Sequence, residues 1–141
     1  RGDEVTLFAS GDSRTTAKLV RCCDMALRLN QAVKDPLPYH VIMLEEVRQR
    51  LDQFDVLHFH IDLLHAPLVR DFADRTLTTL HGRLDLPDLL PFYAVFAELP
   101  LVSISNNQRT YLRRANWAGT VHHGLPRDLL SFQPNGGGGY L

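Results

Sequence analysis

The sequence predicts an α/β fold: a Rossmann-like, doubly wound and mostly parallel sheet. Strand-like and helix-like segments alternate along the chain, as βαβ units with right-handed crossovers require. The run Asp55-Val-Leu-His-Phe-His60 is apolar on both faces, the pattern of a parallel strand covered on both sides. Three segments (55–60, 76–82 and 119–126) each carry an apolar run that ends in histidine, and five of the seven histidines (His58, His60, His81, His122, His123) lie in them. In an open α/β sheet the carboxyl ends of the strands form the ligand crevice, so this clustering points to one sheet edge that faces a substrate.

Val5 to Ala9 is a short run of β-formers, and Gly11-Asp-Ser13 is turn chemistry. Thr15 to Asn30 has no clean period. Asp35-Pro-Leu-Pro38 punctuates the chain and sets up a helix over Tyr39–Phe54, with Val41, Leu44, Val47 and Leu51 as its apolar stripe. The strand Asp55–His60 follows, then a short helix near Leu64–Ala73 and a strand over Arg75–Leu80. Pro87–Ala97 is a helix with Pro91 near its start or kinking it. Pro100–Ser105 is a strand, Asn106–Ala115 a polar, basic helix and Thr120–His122 a final strand. Pro126 to Leu130 gives one helical turn, and the Gly-rich tail 133–141 reads as a flexible joint. At the other end, Gly2 reads as a residue that closes a preceding helix.

A chain of 141 residues fits one domain, and its net charge of -1 is nearly neutral. No basic stripe or aromatic-interleaved basic block supplies a nucleic-acid footprint. No apolar run is long enough to span a bilayer, which leaves room only for peripheral membrane contact. The two cysteines, Cys22 and Cys23, are adjacent and cannot staple distant segments, so a reducing cytoplasm is the expected compartment.

Three chemistries compete for the histidines. A metal-dependent hydrolase could use His58, His60, Asp62 and His65, since His58 and His60 share a strand face and histidine with carboxylate suits zinc. The spacing places His65 two positions late for the binuclear pattern, and the bland alternative has His58 buried in its strand and His65 exposed. A Ser105–His81–Asp62 triad lacks the Gly-x-Ser-x-Gly elbow that exposes a nucleophilic serine. A cleft for polyhydroxylated ligands fits better. Neutral imidazoles each offer a donor and an acceptor, and glycines let backbone approach closely. His81-Gly82, Ser103-Ile-Ser105 and His123-Gly124 all stand at strand ends.

In order, residues 1–12, Asp55-Val-Leu-His-Phe-His60, Thr78-Thr-Leu-His-Gly-Arg83, Val102-Ser-Ile-Ser105 and His122-His-Gly-Leu-Pro126 resemble the amino-terminal domain of family 4 (group 1) retaining glycosyltransferases of the GT-B architecture. The resemblance implies two Rossmann-like domains, with the acceptor held by the amino-terminal one and the nucleotide sugar by the other. It implies transfer of a hexose with retention and no metal or other cofactor beyond the nucleotide-sugar co-substrate. On this resemblance His81 is the catalytic residue facing the donor sugar, Gly82 permits close backbone approach and Arg83 approaches phosphate or acceptor. His60 matches a cleft histidine and Ser105 a serine after a strand, where it could equally cap the next helix. His123-Gly124 stands where the family commonly has Asn-Gly. His58 and His122 are read as packing residues.

The same resemblance implies that residues 1–132 form an acceptor-side domain lacking its first strand and helix, and that residues 133–141 lead to a missing donor-binding domain. Absence of a central first strand leaves a gap with unpaired backbone, and this part alone is expected to be inactive. A non-catalytic Rossmann-type binding module remains the reading if no second domain exists.

Overall fold

The computed structural model describes residues 2–126 and Leu129. The helical turn expected at 126–130 and the joint expected at 133–141 lie largely outside those residues. The chain has a Rossmann-like α/β fold, and among the described residues every strand pairing is parallel. Its strands are β1 (Thr6–Ser10), β2 (Lys18–Cys23), β3 (Leu57–Phe59), β4 (Thr76–Leu80), β5 (Leu101–Ser103) and β6 (Trp117–Thr120). The helices are α1 (Leu37–Arg48), α2 (Ala66–Val69), α3 (Leu89–Val95) and α4 (Asn106–Arg109). The strands form two sheets: β1 with β2, and β3-β4-β5-β6 in sequence order. No helix among the described residues is long and apolar enough to cross a membrane.

Several elements differ from their sequence pattern. β2 was not legible, because Lys-Leu-Val-Arg-Cys-Cys shows no alternation; its pairing with β1 defines it. α1 starts two residues early, where the Asp35 carboxylate accepts the Leu37 N–H at 2.9 Å and prolines occupy the first turn. It ends at Arg48 and a 3₁₀ turn carries Leu51 into the core. Leu44, Val47 and Leu51 are buried as the stripe requires, but Val41 is exposed. The expected 64–73 helix holds only over Ala66–Val69 and continues as a 3₁₀ segment with a non-helical Phe72. α4 is a single turn, and β6 begins at Trp117, three residues before the expected start.

Two apolar clusters hold the layers together. One joins Leu44 and Val47 of α1 to Leu57 and Phe59 of β3 and to Val69 of α2. The other joins Leu80, Leu101, Tyr93 and Leu112. β3 alternates strictly, with Leu57 and Phe59 buried and His58 exposed between them. β4 is central and almost wholly buried, yet carries threonines at 76, 78 and 79. Thr76 donates to the Phe72 carbonyl at 2.7 Å, and imidazoles serve the hydroxyls of the other two. Buried polar groups persist only with such partners.

Candidate functional site

The carboxyl ends of β3, β4 and β6 bring three histidines into one row. His60 directly follows β3, His81 directly follows β4, and His123 lies three residues past β6. His60 Nδ1 and His81 Nε2 are 2.9 Å apart, and His81 Nδ1 and His123 Nε2 are 3.2 Å apart. The rings are inclined to one another by 28° and 35°, with centroids 5.2 and 5.3 Å apart. His58 extends the row behind His60 at 4.4 Å, because residues i and i+2 of a strand share a face. All four imidazoles are exposed.

Each nitrogen–nitrogen contact needs one N–H and one lone pair. A neutral His81 therefore donates to one neighbour and accepts from the other. With a second proton it donates both ways, and both neighbours can accept. Burial pushes the His58 pKa down, with the His81 charge adding to the effect. Burial, then the charges of His58 and His81, do the same for His60. His60, one of the two neighbours of His81, is thereby held toward the neutral form that can accept.

Gly82, Arg83 and Ser105 meet in an adjoining cleft of about 340 Å³ between the segments after β4 and β5. A Cβ at Gly82 would stand 3.1 Å from Asp62 Oδ2, so glycine admits the Asp62 carboxylate beside the backbone. Arg83 is exposed and forked onto Asp85 by two hydrogen bonds of 2.7 Å. That pairing lowers the Asp85 pKa and raises that of Arg83. Ser105 caps α4, its hydroxyl accepting the Gln108 N–H at 3.1 Å. Its side chain has a structural role, as the cap alternative anticipated. A Cβ at Gly124 would meet nothing within 4 Å, and the residue is exposed.

The four-residue metal set does not converge. Thr78 and Thr79 are consecutive on β4 and so point to opposite faces. His65 Nε2 lies 2.7 Å from the Thr78 hydroxyl, while His58 Nε2 lies 2.9 Å from that of Thr79. The two histidines therefore belong to opposite sides of the sheet. Among the described residues no group of three or more His, Cys, Asp or Glu could hold a metal ion. Burial is also the reverse of expectation: His65 is 1% exposed and stacks on Phe59, while His58 is exposed. His122 is exposed too, not packed.

Two features escaped the sequence. Gln108 is buried, and its amide ties together the strand ends that carry the site. It donates to the Leu80 and Gly82 carbonyls at 3.1 and 2.8 Å and accepts the Ile104 N–H at 2.9 Å. A glutamine in a polar single-turn helix carries no sequence signal for this. Gln108→Leu is expected to leave three backbone groups unpaired and to cost about 2–4 kcal/mol in denaturant unfolding; a loss below about 1 kcal/mol would refute the bracing role. The other feature is a cavity of about 720 Å³ at the carboxyl ends of β1 and β2, lined in part by Ser10, Cys22, Cys23, Tyr39 and His40. It depends on β2, which sequence pattern did not resolve. Burial raises both thiol pKa values there, which disfavours thiolate chemistry.

No protein-family model matches the chain, and no curated protein does either.

Proposed function

We propose that the chain is the acceptor-side half of a retaining glycosyltransferase that uses a nucleotide-sugar donor. The observation that carries this reading is the His60–His81–His123 row along the carboxyl edge of a parallel sheet, where such folds bind ligands. Imidazoles address sugar hydroxyls as donors and acceptors, and a proton centred on His81 opposes the negative charge that develops on a departing phosphate. His81 exchanges one neighbour for the transferring group, while the other holds the ring. Gly82 and Arg83 form the adjoining wall. Gly124 follows His123 along the same edge.

The chemistry needs no metal from this half. The donor diphosphate and its base belong to a second domain, so this half alone is inactive in the proposal. The free thiols Cys22 and Cys23 fit a reducing, cytoplasmic setting. The test is a donor-and-acceptor screen on the full-length protein. The expected result is a glycoside whose anomeric configuration matches the donor's. A product of inverted configuration, or a full-length protein without a second α/β domain, overturns the proposal; the latter leaves a binding module.

A further inference from the structure

The cavity at the carboxyl ends of β1 and β2 uses no residue of the histidine row, and its volume of about 720 Å³ is that of a small-molecule site. Its walls follow from the chain. The strand pairing steps from Ala9↔Arg21 to Ser10↔Cys23, so Cys22 is an extra residue in β2. Consecutive strand residues otherwise point to opposite faces; with this bulge both thiols line the cavity. Much of the remaining wall comes from residues 26–36, which short turns hold in place. Asp12 accepts the Ala26 N–H at 3.1 Å, the Ala26 carbonyl accepts the Asn30 N–H at 3.1 Å, and the Asn30 carbonyl accepts the Val33 N–H at 3.0 Å. The first two turns of α1 add Tyr39, His40 and Met43.

The lining combines two chemistries. Ala9, Leu27 and Val33 are apolar, and Met43, Cys22 and Cys23 bring three sulfur atoms to the same cavity as the Tyr39 ring. Sulfur and aromatic surfaces both favour contact with an aromatic ring. Burial pushes the pKa of both thiols up, so they are neutral and act as small apolar groups. The polar part is rich in donors. Arg28, Gln31, Tyr39 and His40 can each donate a hydrogen bond, and among the described residues none of these side chains has a partner within the protein. Arg28 forms no ion pair among those residues either. Asp12, Asp24 and Glu46 stand near enough to act on the thiols, but among the described residues no carboxylate lines the cavity. One fixed positive charge therefore meets no negative charge of the protein there.

We infer that this cavity binds a small aromatic monoanion, a flat ring system that carries one carboxylate. The ring packs against Tyr39 and the sulfur atoms. The carboxylate reaches Arg28, whose planar guanidinium matches it with two parallel hydrogen bonds. A single fixed cation favours one negative charge over the two of a phosphate monoester. Walls already held by their own turns keep the ordering cost of binding low. The inference does not rest on the glycosyltransferase reading, whose residues stand at the ends of β3, β4, β5 and β6 and include none of these. Its test measures no sugar transfer.

The test is protection of Cys22 and Cys23 from iodoacetamide in the full-length protein, with each alkylated residue read by mass spectrometry. The probes are 2-naphthoate, 2-naphthol and 2-naphthyl phosphate, with decanoate to replace the ring by an alkyl chain. 2-Naphthoate is expected to slow alkylation of both cysteines at concentrations about tenfold below those of 2-naphthol, the worth of one charge-assisted hydrogen bond. Arg28→Gln should erase that preference and leave alkylation without a probe unchanged, because Arg28 is exposed. Equal protection by 2-naphthoate and 2-naphthol overturns the anion site, as does a preference that survives in Arg28→Gln. Stronger protection by 2-naphthyl phosphate or by decanoate overturns the ligand class. Absence of protection by every probe overturns the inference outright.

Discussion

Replacing His81 with alanine in the full-length protein is expected to lower sugar transfer by about 10²–10³-fold, the loss typical of one preorganised donor at a developing charge. Unfolding free energy should stay within about 0.5 kcal/mol of the parent, because the side chain is exposed and lies outside both apolar clusters. The size of the effect follows from the row. His81 is the only member hydrogen-bonded on both sides, so its loss breaks both contacts and removes the site for a shared proton. His60→Ala and His123→Ala each remove one contact and leave His81 able to donate, so each should cost less. Equal losses for all three would make His81 a positioning residue acting through its neighbours. Transfer unchanged in His81→Ala would remove the histidine row from the reaction altogether.

Much of that row was legible before any coordinates. A histidine directly after an apolar β run can belong only to the strand's carboxyl end, and parallel strands put those ends side by side. His60 and His81 follow from this logic alone, and β4 and β5 were readable from their apolar runs. His123 is reached less directly, since β6 ends at Thr120 and the intervening residues carry it back to the row.

What the sequence hid was cross-strand chemistry. Nothing local in Thr78-Thr79 says that one hydroxyl meets His65 and the other His58 on opposite faces. The metal set looked plausible because four candidate ligands sit within eight residues, but β3 ends at Phe59 and the chain turns through the sheet edge before His65. Proximity in sequence there is separation in space. Gln108 and Ser105 make the same point from another side. Both stand in a short polar helix, yet one braces three backbone groups and the other caps the helix that holds it. β2 was missed for a related reason: a sheet-edge strand with mixed faces is defined by its partner more than by its pattern.

Acid should destabilise this fold through His65. The ring is 1% exposed, stacked on Phe59 with centroids 4.4 Å apart, and hydrogen-bonded through Nε2 to the Thr78 hydroxyl at 2.7 Å. Its Nδ1 has no partner, so a proton added there would sit buried with nothing to accept its hydrogen bond. Burial accordingly pushes the pKa down to about 4, against about 6.5 in an unfolded chain. The folded state favours the neutral ring, so between these values the unfolded chain binds more protons. This contribution is complete above about pH 6.5 and is lost as the pH falls toward 4, amounting to about 3 kcal/mol. Chemical unfolding of His65→Gln against the parent isolates it, because other titrating groups, including His58, His60 and Glu45, are common to both proteins. Glutamine keeps an amide donor for Thr78 but takes up no proton. It should cost stability at pH 7 through poorer stacking on Phe59, and the deficit should shrink steadily as the pH falls from 6.5 to 4.5. A deficit that stays constant over that range would mean that His65 takes up its proton within the fold as readily as in the unfolded chain.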